Sequence, residues 1–303
     1  MELERLTAVL PRDFYLTLVD VGSAGGLHAR WHPFRATLSA ILFDPREATA
    51  SGSLGAGQTR VYPVALSDQD GEAVLNITAL PNMSSFLLPD AQVFGRYRKK
   101  GQDAQIVGTE HVPVTRLDIL AKTDGFLPDV LKIDTQGSEM MVLKGAEESL
   151  KSVVLAEIEV SFLKRYVDQP VFADIEAWMN GRGFELIELY GLKRYRAANH
   201  LGIYRPFSGH GQRSGRVAYG DAIFMRSEET IQAMAANDGG VSLYRAMVAL
   251  LAYGKTDHAA ALLDRGRHLL PADQFDAVSD VLKAFERPRF IARLSGLMKG
   301  FRS

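Results

Sequence analysis

The chain has 303 residues, 47% of them hydrophobic, with 35 Lys and Arg against 36 Asp and Glu and no cysteine. That is enough apolar material for a full α/β core, and a formal net charge of -1 gives no global basic field, so nucleic acid is not an expected partner. Without cysteine there is no disulfide, no thiolate nucleophile and no cysteine-ligated metal.

The opening MELERLTAVLPRDF lacks a basic segment followed by an apolar one, and no apolar run approaches the ~20 residues that span a bilayer. A cytoplasmic chain is expected. The first strand is FYLTLVDV, which ends in Asp20 and breaks into Gly22, Ser23, Ala24, Gly25 and Gly26. A strand that feeds a small-residue turn opening a helix is a ligand-binding pattern, and also an ordinary tight turn. The dinucleotide fingerprint fails here, because Ala24 and Leu27 stand where its second and third glycines belong. The Asp20 carboxylate and the small residues instead suit a ligand that carries an ammonium group and no pyrophosphate, such as S-adenosylmethionine. His28 and His32 follow in the expected first helix, on one face; as metal ligands they lack a third partner, so packing or exposure is the better reading.

SAILFD is the second strand, and Asp44 at its end is suited to the diol of a ribose. RVYPVAL, DVLKID and SVVLAEIEV read as further strands, several of them apolar on both faces as buried parallel strands are. Helices are expected in SEMMVLKGAEESL, through Met140, Leu143, Ala146 and Leu150, and in PVFADIEAWMNGRG, through Phe172, Ile175 and Trp178 or Met179. GFELIELY and GDAIFMR suggest an antiparallel edge pair joined by a long loop. This alternation predicts a doubly wound, mostly parallel sheet. After Ser227 the chain is helical only, with two or three helices over residues 245–286 broken at Gly254 and Pro271, which divides it into residues 1–226 and a helical extension 227–303. The closing RPRFIARLSGLMKGFRS interleaves basic and apolar residues; it suits a terminal helix with solvated charges, or weak contact with a membrane surface.

DVLKIDTQGSEMMVLKGAEESL, taken with LVDVGSAGG, VALSDQDGEAVLNI, NMSSF and VTRLDIL, resembles the FkbM-type family of S-adenosylmethionine-dependent methyltransferases. The resemblance runs from Tyr15 to Arg226 and leaves out the C-terminal helices. The family usually shows Asn and Ile in its first turn, where this chain has Ser23, Ala24 and Gly25. What the resemblance implies is a class I methyltransferase fold, with a cofactor site of Asp20, Gly22, Ser23, Ala24, Gly26, Asp44, Leu66, Asp68 and Asp134. It further implies O-methylation of a hydroxyl on a sugar, glycan or related secondary metabolite.

Transfer to a hydroxyl wants a base, and Asp134 is the first candidate; it suits equally a structural role at the start of the following helix. Glu157 and Glu159 lie two apart on a strand and so share a face. Either serves as a base, or both join Asp134 around a divalent cation, or both pair with arginines of a neighbouring loop. Asn82, Ser84 and Ser85 are expected to border the acceptor. The acid-free loop 191–218 carries Arg194, Arg196, His200 and His210, which suits a phosphorylated or acidic acceptor. The competing reading is a scaffold or binding protein that keeps the fold without turnover.

Overall fold

The structure, a computed structural model, describes residues 2–23, 26–46, 54–205 and 214–286. Helix α1 (Glu2–Val9) precedes β1 (Leu16–Val21), β2 (Leu38–Phe43), β3 (Thr59–Tyr62), β4 (Ala65–Leu66) and β5 (Gly71–Thr78). Two short helices, α2 (Ala91–Gly95) and α3 (Lys100–Asp103), lead to β6 (Ile106–Thr115), α4 (Leu117–Asp124), β7 (Val130–Ile133) and α5 (Glu139–Lys144). Then come β8 (Leu155–Ser161), α6 (Phe172–Asn180), β9 (Phe184–Tyr195) and β10 (Arg216–Arg226). The chain continues through α7 (Glu228–Asn237), α8 (Val241–Ala252), α9 (Thr256–Arg265) and α10 (Ala272–Glu286). Among the described residues no helix is long and apolar enough to cross a membrane.

The main sheet has seven strands in the order β3-β2-β1-β7-β8-β10-β9. The first five run parallel, and β10 is antiparallel to both β8 and β9, which is the expected doubly wound sheet with an antiparallel edge pair. Strand order reverses between β1 and β7, so the crevice at their carboxyl ends is where such a sheet takes a ligand.

Alternation along the strands splits the core into two layers. Val19, Val21, Ile133, Ile158 and Phe224 face α4, α5 and α6 and meet Leu117, Val142, Leu143, Ile175 and Met179. Leu16, Leu18, Val130, Leu155 and Met225 face the other way, against Leu243, Met247 and Leu250 of α8, Leu6 of α1 and Trp31. The C-terminal helices therefore share a hydrophobic core with the sheet.

Several local expectations are corrected. The segment after the glycine turn is no α-helix: residues 29–37 form a 3-10 helix around Pro33, which lacks the N–H an α-helix needs there. His28 caps it, its Nδ1 accepting the Arg30 backbone N–H at 3.2 Å, and His32 is exposed, so the two do not form one helical face. RVYPVAL is two strands in different sheets, interrupted around Pro63, and β4 joins β6 and β5 in a three-stranded sheet that was not anticipated. The helix expected over residues 138–150 stops at Lys144. There Gly145 passes so close to β4 that a Cβ would lie 1.9 Å from the Ser67 carbonyl. Over residues 245–286 the helices are α8, α9 and α10, broken at Gly254 and Pro271 as expected, and α7 precedes them. The tail 287–303 lies outside the described residues.

Candidate functional site

The carboxyl ends of β1, β2, β4 and β7 surround a cavity of about 510 Å³. Its apolar wall is Phe43, Leu66, Leu75 and Phe86; its polar groups include Asp44, Asn82, Ser84, Asp134, Thr135, Gln136 and Ser138. Phe43 is held flat by Tyr62, the rings stacked at 5.0 Å.

Gly22 makes this cleft. Its N–H donates to the Phe43 carbonyl at 2.9 Å, while the Asp134 N–H donates to the Val21 carbonyl at 3.0 Å, tying the ends of β1, β2 and β7 together. With φ at +80°, and with an added Cβ only 2.0 Å from the Asp134 carbonyl oxygen, no other residue fits. Gly26 closes the turn by donating to the Ser23 carbonyl at 2.7 Å. Ser23 is buried, and its Oγ has no hydrogen-bond partner among the described residues. Ala24 and Gly25 lie outside them.

The opposite lip is the turn after β7. Gln136 sits in the left-handed region at φ +57°, a conformation uncommon for a side chain with a Cβ and often found where a site stores strain. The buried Glu139 carboxylate holds this turn by accepting the N–H groups of Gly137 at 2.8 Å and Thr135 at 3.2 Å, and burial pushes its carboxyl up. The Gln136 amide donates to Asp134 Oδ1 at 3.1 Å and to Glu159 Oε2 at 3.2 Å. Glu159 in turn accepts from Arg165 at 2.8 Å. Burial raises the Glu159 carboxyl to about 8, against the pull of Arg165, whose guanidinium is held above its ordinary value by that same carboxylate despite burial.

Behind the glycine turn lies a buried ionic row on the face that α8 covers. Asp20, Lys132 and Glu157 are neighbours across β1, β7 and β8. Lys132 Nζ is 2.8 Å from Asp20 Oδ1. Burial raises Asp20, and the ammonium only partly offsets it. Burial works to lower Lys132, but Asp20, with Asp134 and Glu157 beyond it, outweighs burial and holds it above its usual value. Glu157 accepts from Arg30 at 2.9 Å, from the Tyr190 hydroxyl and from the Tyr253 hydroxyl at 2.5 Å. Asp221, on β10 opposite Glu159, is pushed up to about 6 by burial and then by Glu157 and Asp134.

Of the residues singled out in the sequence, Gly22, Asp44, Leu66, Asn82, Ser84 and Asp134 line the one cavity. Asp20, Glu157 and Glu159 stand outside it, each bound to a cation. Asp68 is exposed in its turn, its Oδ1 accepting from Ser67 Oγ at 3.3 Å. Ser85 is buried, and its Oγ accepts the Leu87 N–H at 3.0 Å. Arg194 and Arg196 are exposed, and His200 borders a separate hollow with Arg98, Lys99 and Tyr204. His210 lies outside the described residues. Among those residues no group of three or more His, Asp or Glu side chains is placed to hold a metal ion.

The site also uses Gln136, Arg30, Arg165 and Tyr253, which sequence reasoning did not single out. Gln136 was within reach, since it sits inside the quoted KIDTQGSE. Arg30 comes from the 3-10 segment, brought to Glu157 by the fold, and Arg165 from the stretch after β8, which bends back on Glu159. Tyr253 lies 96 residues from its partner.

The residues present fit a nucleoside-bearing ammonium ligand. A glycine cradle a Cβ would fill, an apolar wall for a flat ring and the half-buried Asp44 at the end of β2 stand together in one crevice. Residues 39–186 match the Methyltransferase FkbM domain family. Comparison with curated proteins gives no match. Among solved structures, a proposed tRNA (m1A22) methyltransferase of Streptococcus pneumoniae in complex with S-adenosyl-L-methionine is 12% identical, covering 92% of this chain and 98% of that one, with a TM-score of 0.28. A protein of the NADB-Rossmann superfamily from Streptococcus agalactiae is also 12% identical, covering 93% and 96%, with a TM-score of 0.27. These likenesses are remote.

Proposed function

We propose that this chain, whose residues 39–186 match the FkbM methyltransferase domain family, is an S-adenosylmethionine-dependent methyltransferase that methylates a hydroxyl group of a sugar or glycan acceptor. The observation that carries the reading is the division among the three candidate bases. Asp134 borders the cavity, its Oδ1 receiving the Gln136 amide, whereas Glu157 and Glu159 are committed to Arg30 and Arg165.

Bound S-adenosylmethionine supplies an activated methyl group; the protein has to position the acceptor and take its proton. Gly22, Asp44 and the Phe43–Leu66 wall would hold the cofactor. In this reading Asn82 and Ser84 hydrogen-bond the acceptor, and Asp134 accepts the hydroxyl proton while Gln136 fixes its orientation. The apolar wall excludes water that would compete for the same carboxylate.

The test has two stages. Calorimetric titration with S-adenosylmethionine and with NADH should give selective binding of the first. Methyl transfer to hydroxyl-bearing and amine-bearing sugars should then favour the hydroxyl, and Asp134→Asn should lower kcat by about 100-fold while the cofactor Kd stays within about threefold. Transfer to amines alone overturns O-methylation. Full turnover by Asp134→Asn overturns the assignment of the base.

A further inference from the structure

Away from the cavity, residues 95–102 and 191–205 contain no acid. The structure zips the two segments together: Tyr97 bridges Ala197, the Arg98 N–H donates to the Arg196 carbonyl at 2.8 Å, and the Ala198 N–H donates to the Arg96 carbonyl at 2.8 Å. Tyr97 and Tyr195 turn inward and meet edge to face at 5.6 Å, in a cluster with Phe94 and Tyr166. The residues flanking these buried tyrosines, Arg96 and Arg98 in the turn after α2 and Arg194 and Arg196 on the other segment, are exposed to solvent with Lys99 and Lys193 beside them.

At the end of this basic ledge the chain forms a closed loop. Asn199 Nδ2 donates to the Ile203 carbonyl at 2.9 Å, and Asn199 Oδ1 accepts the Ile203 N–H at 3.2 Å. The Tyr204 hydroxyl donates to the Asn199 carbonyl at 3.0 Å, and the Arg98 guanidinium lies 4.4 Å over the Tyr204 ring. So organised, the loop holds Leu201 and Ile203 out at 80% and 67% exposure. Aliphatic side chains displayed on a braced loop beside a row of cations call for an apolar surface with an anionic rim.

We propose that this ledge docks on the anionic surface of a lipid bilayer, with phospholipid headgroups against the arginines and lysines and Leu201 and Ile203 entering the acyl boundary. The ledge and the cavity share a support: the Tyr166 hydroxyl donates to the Met83 carbonyl at 2.8 Å, and Met83 stands between Asn82 and Ser84 at the cavity's edge. Resting on the methyltransferase reading, the docked protein would take its acceptor from the membrane, as a sugar carried on a lipid. A nucleic acid fits the ledge less well. Tyr97 and Tyr195 are buried and Tyr204 is covered by Arg98, which leaves no free ring for a base among the described residues of the ledge, and phosphates have no use for two exposed aliphatics.

The experiment is co-sedimentation of the full chain with vesicles of phosphatidylcholine alone and with phosphatidylglycerol added, at low and high salt. A single-stranded RNA is offered in parallel, and S-adenosylmethionine is titrated into each variant. Binding is expected only to the anionic vesicles and should weaken with salt. Arg98→Glu combined with Lys99→Glu and Arg196→Glu should reduce it by at least about tenfold, and Leu201→Asp with Ile203→Asp should reduce it independently, with cofactor affinity unchanged in both. Undiminished vesicle binding by either variant, or tighter binding to RNA than to vesicles, overturns the proposal. Vesicle binding by a protein that takes no S-adenosylmethionine would leave the docking surface standing and remove the methyltransferase reading instead.

Discussion

The two faces of the central sheet are built by the same strands, yet they bury different chemistry. Val21, Ile133 and Ile158 meet α5 and α6 through carbon alone. One residue away along the same strands, Asp20, Lys132 and Glu157 form an ionic row under the 3-10 segment and α8. Buried ion pairs rarely stabilise a fold beyond what apolar residues of the same size would give. A row of this kind is retained for placement, and here it fixes the carboxyl ends of β1 and β7, where the glycine turn and Asp134 form the cleft. The apolar face supplies stability, and the ionic face supplies geometry.

Gly22, at the edge where both faces end, should show the largest effect. Gly22→Ala forces a Cβ into the Asp134 carbonyl, and S-adenosylmethionine affinity is expected to fall by at least about 100-fold, about 2.7 kcal/mol. Calorimetry on the folded variant checks this, and binding within about tenfold of the parent would show that the cofactor does not enter the Gly22 cradle.

Neighbours on β8 then separate the faces. Ile158→Ala, on the apolar face, should cost about 3 kcal/mol of stability and leave cofactor affinity unchanged at temperatures where the variant is folded. Glu157→Gln, one residue earlier, should cost a comparable amount, on the order of 3 kcal/mol, because Arg30 is left half-buried without its carboxylate. It should also weaken cofactor binding several-fold. Denaturant unfolding paired with calorimetry reads both; equal cofactor affinities in the two variants would remove the distinction drawn between the faces. Tyr253→Phe is milder. It deletes one hydroxyl from Glu157 while keeping the ring against Trp31, so a loss of about 1 kcal/mol is expected, with a small rise in cofactor Kd.

The same contrast explains what the sequence made legible. The strands β1, β2, β7 and β8 could be read because buried parallel strands are apolar runs, and the acids ending them drew attention to the right edge of the sheet. Asp44 and Asp134 meet in one cavity as carboxyl-end residues of such a sheet should, and Leu66 and Asn82 join them from the small sheet and the turn after β5. The small sheet was missed because β5 and β6 are largely exposed and lack a clean alternation. Glu157 and Glu159 could be read as a same-face pair, with catalysis, metal binding and arginine pairing all left open, because their partners sit 127 residues before Glu157 and six after Glu159. No periodicity reports such pairings. The helix expected after the glycine turn was a reading of fold habit, and Pro33 carried the contrary signal.

At the opposite end of β7, where α8 meets another buried charge, the contrast is read through pH. Asp129 accepts the Thr17 N–H at 2.7 Å and stands 3.3 Å from Arg245 Nε of α8. Burial nevertheless raises its carboxyl to about 7, with Arg245 and the Thr17 N–H pulling the other way. The folded protein thus holds a proton between about pH 4 and 7 that the unfolded chain has released. Stability from this group is complete below the ordinary carboxylate value and is lost as pH rises through 7, the reverse of a salt-bridged aspartate. Asp129→Asn keeps an acceptor for Thr17 and cannot ionise, so its melting temperature relative to the parent should climb between pH 5 and pH 8. A relative fall over that range would mean that the Arg245 pair outweighs the burial of the charge, and that ionic contact holds α8 on this end of the sheet.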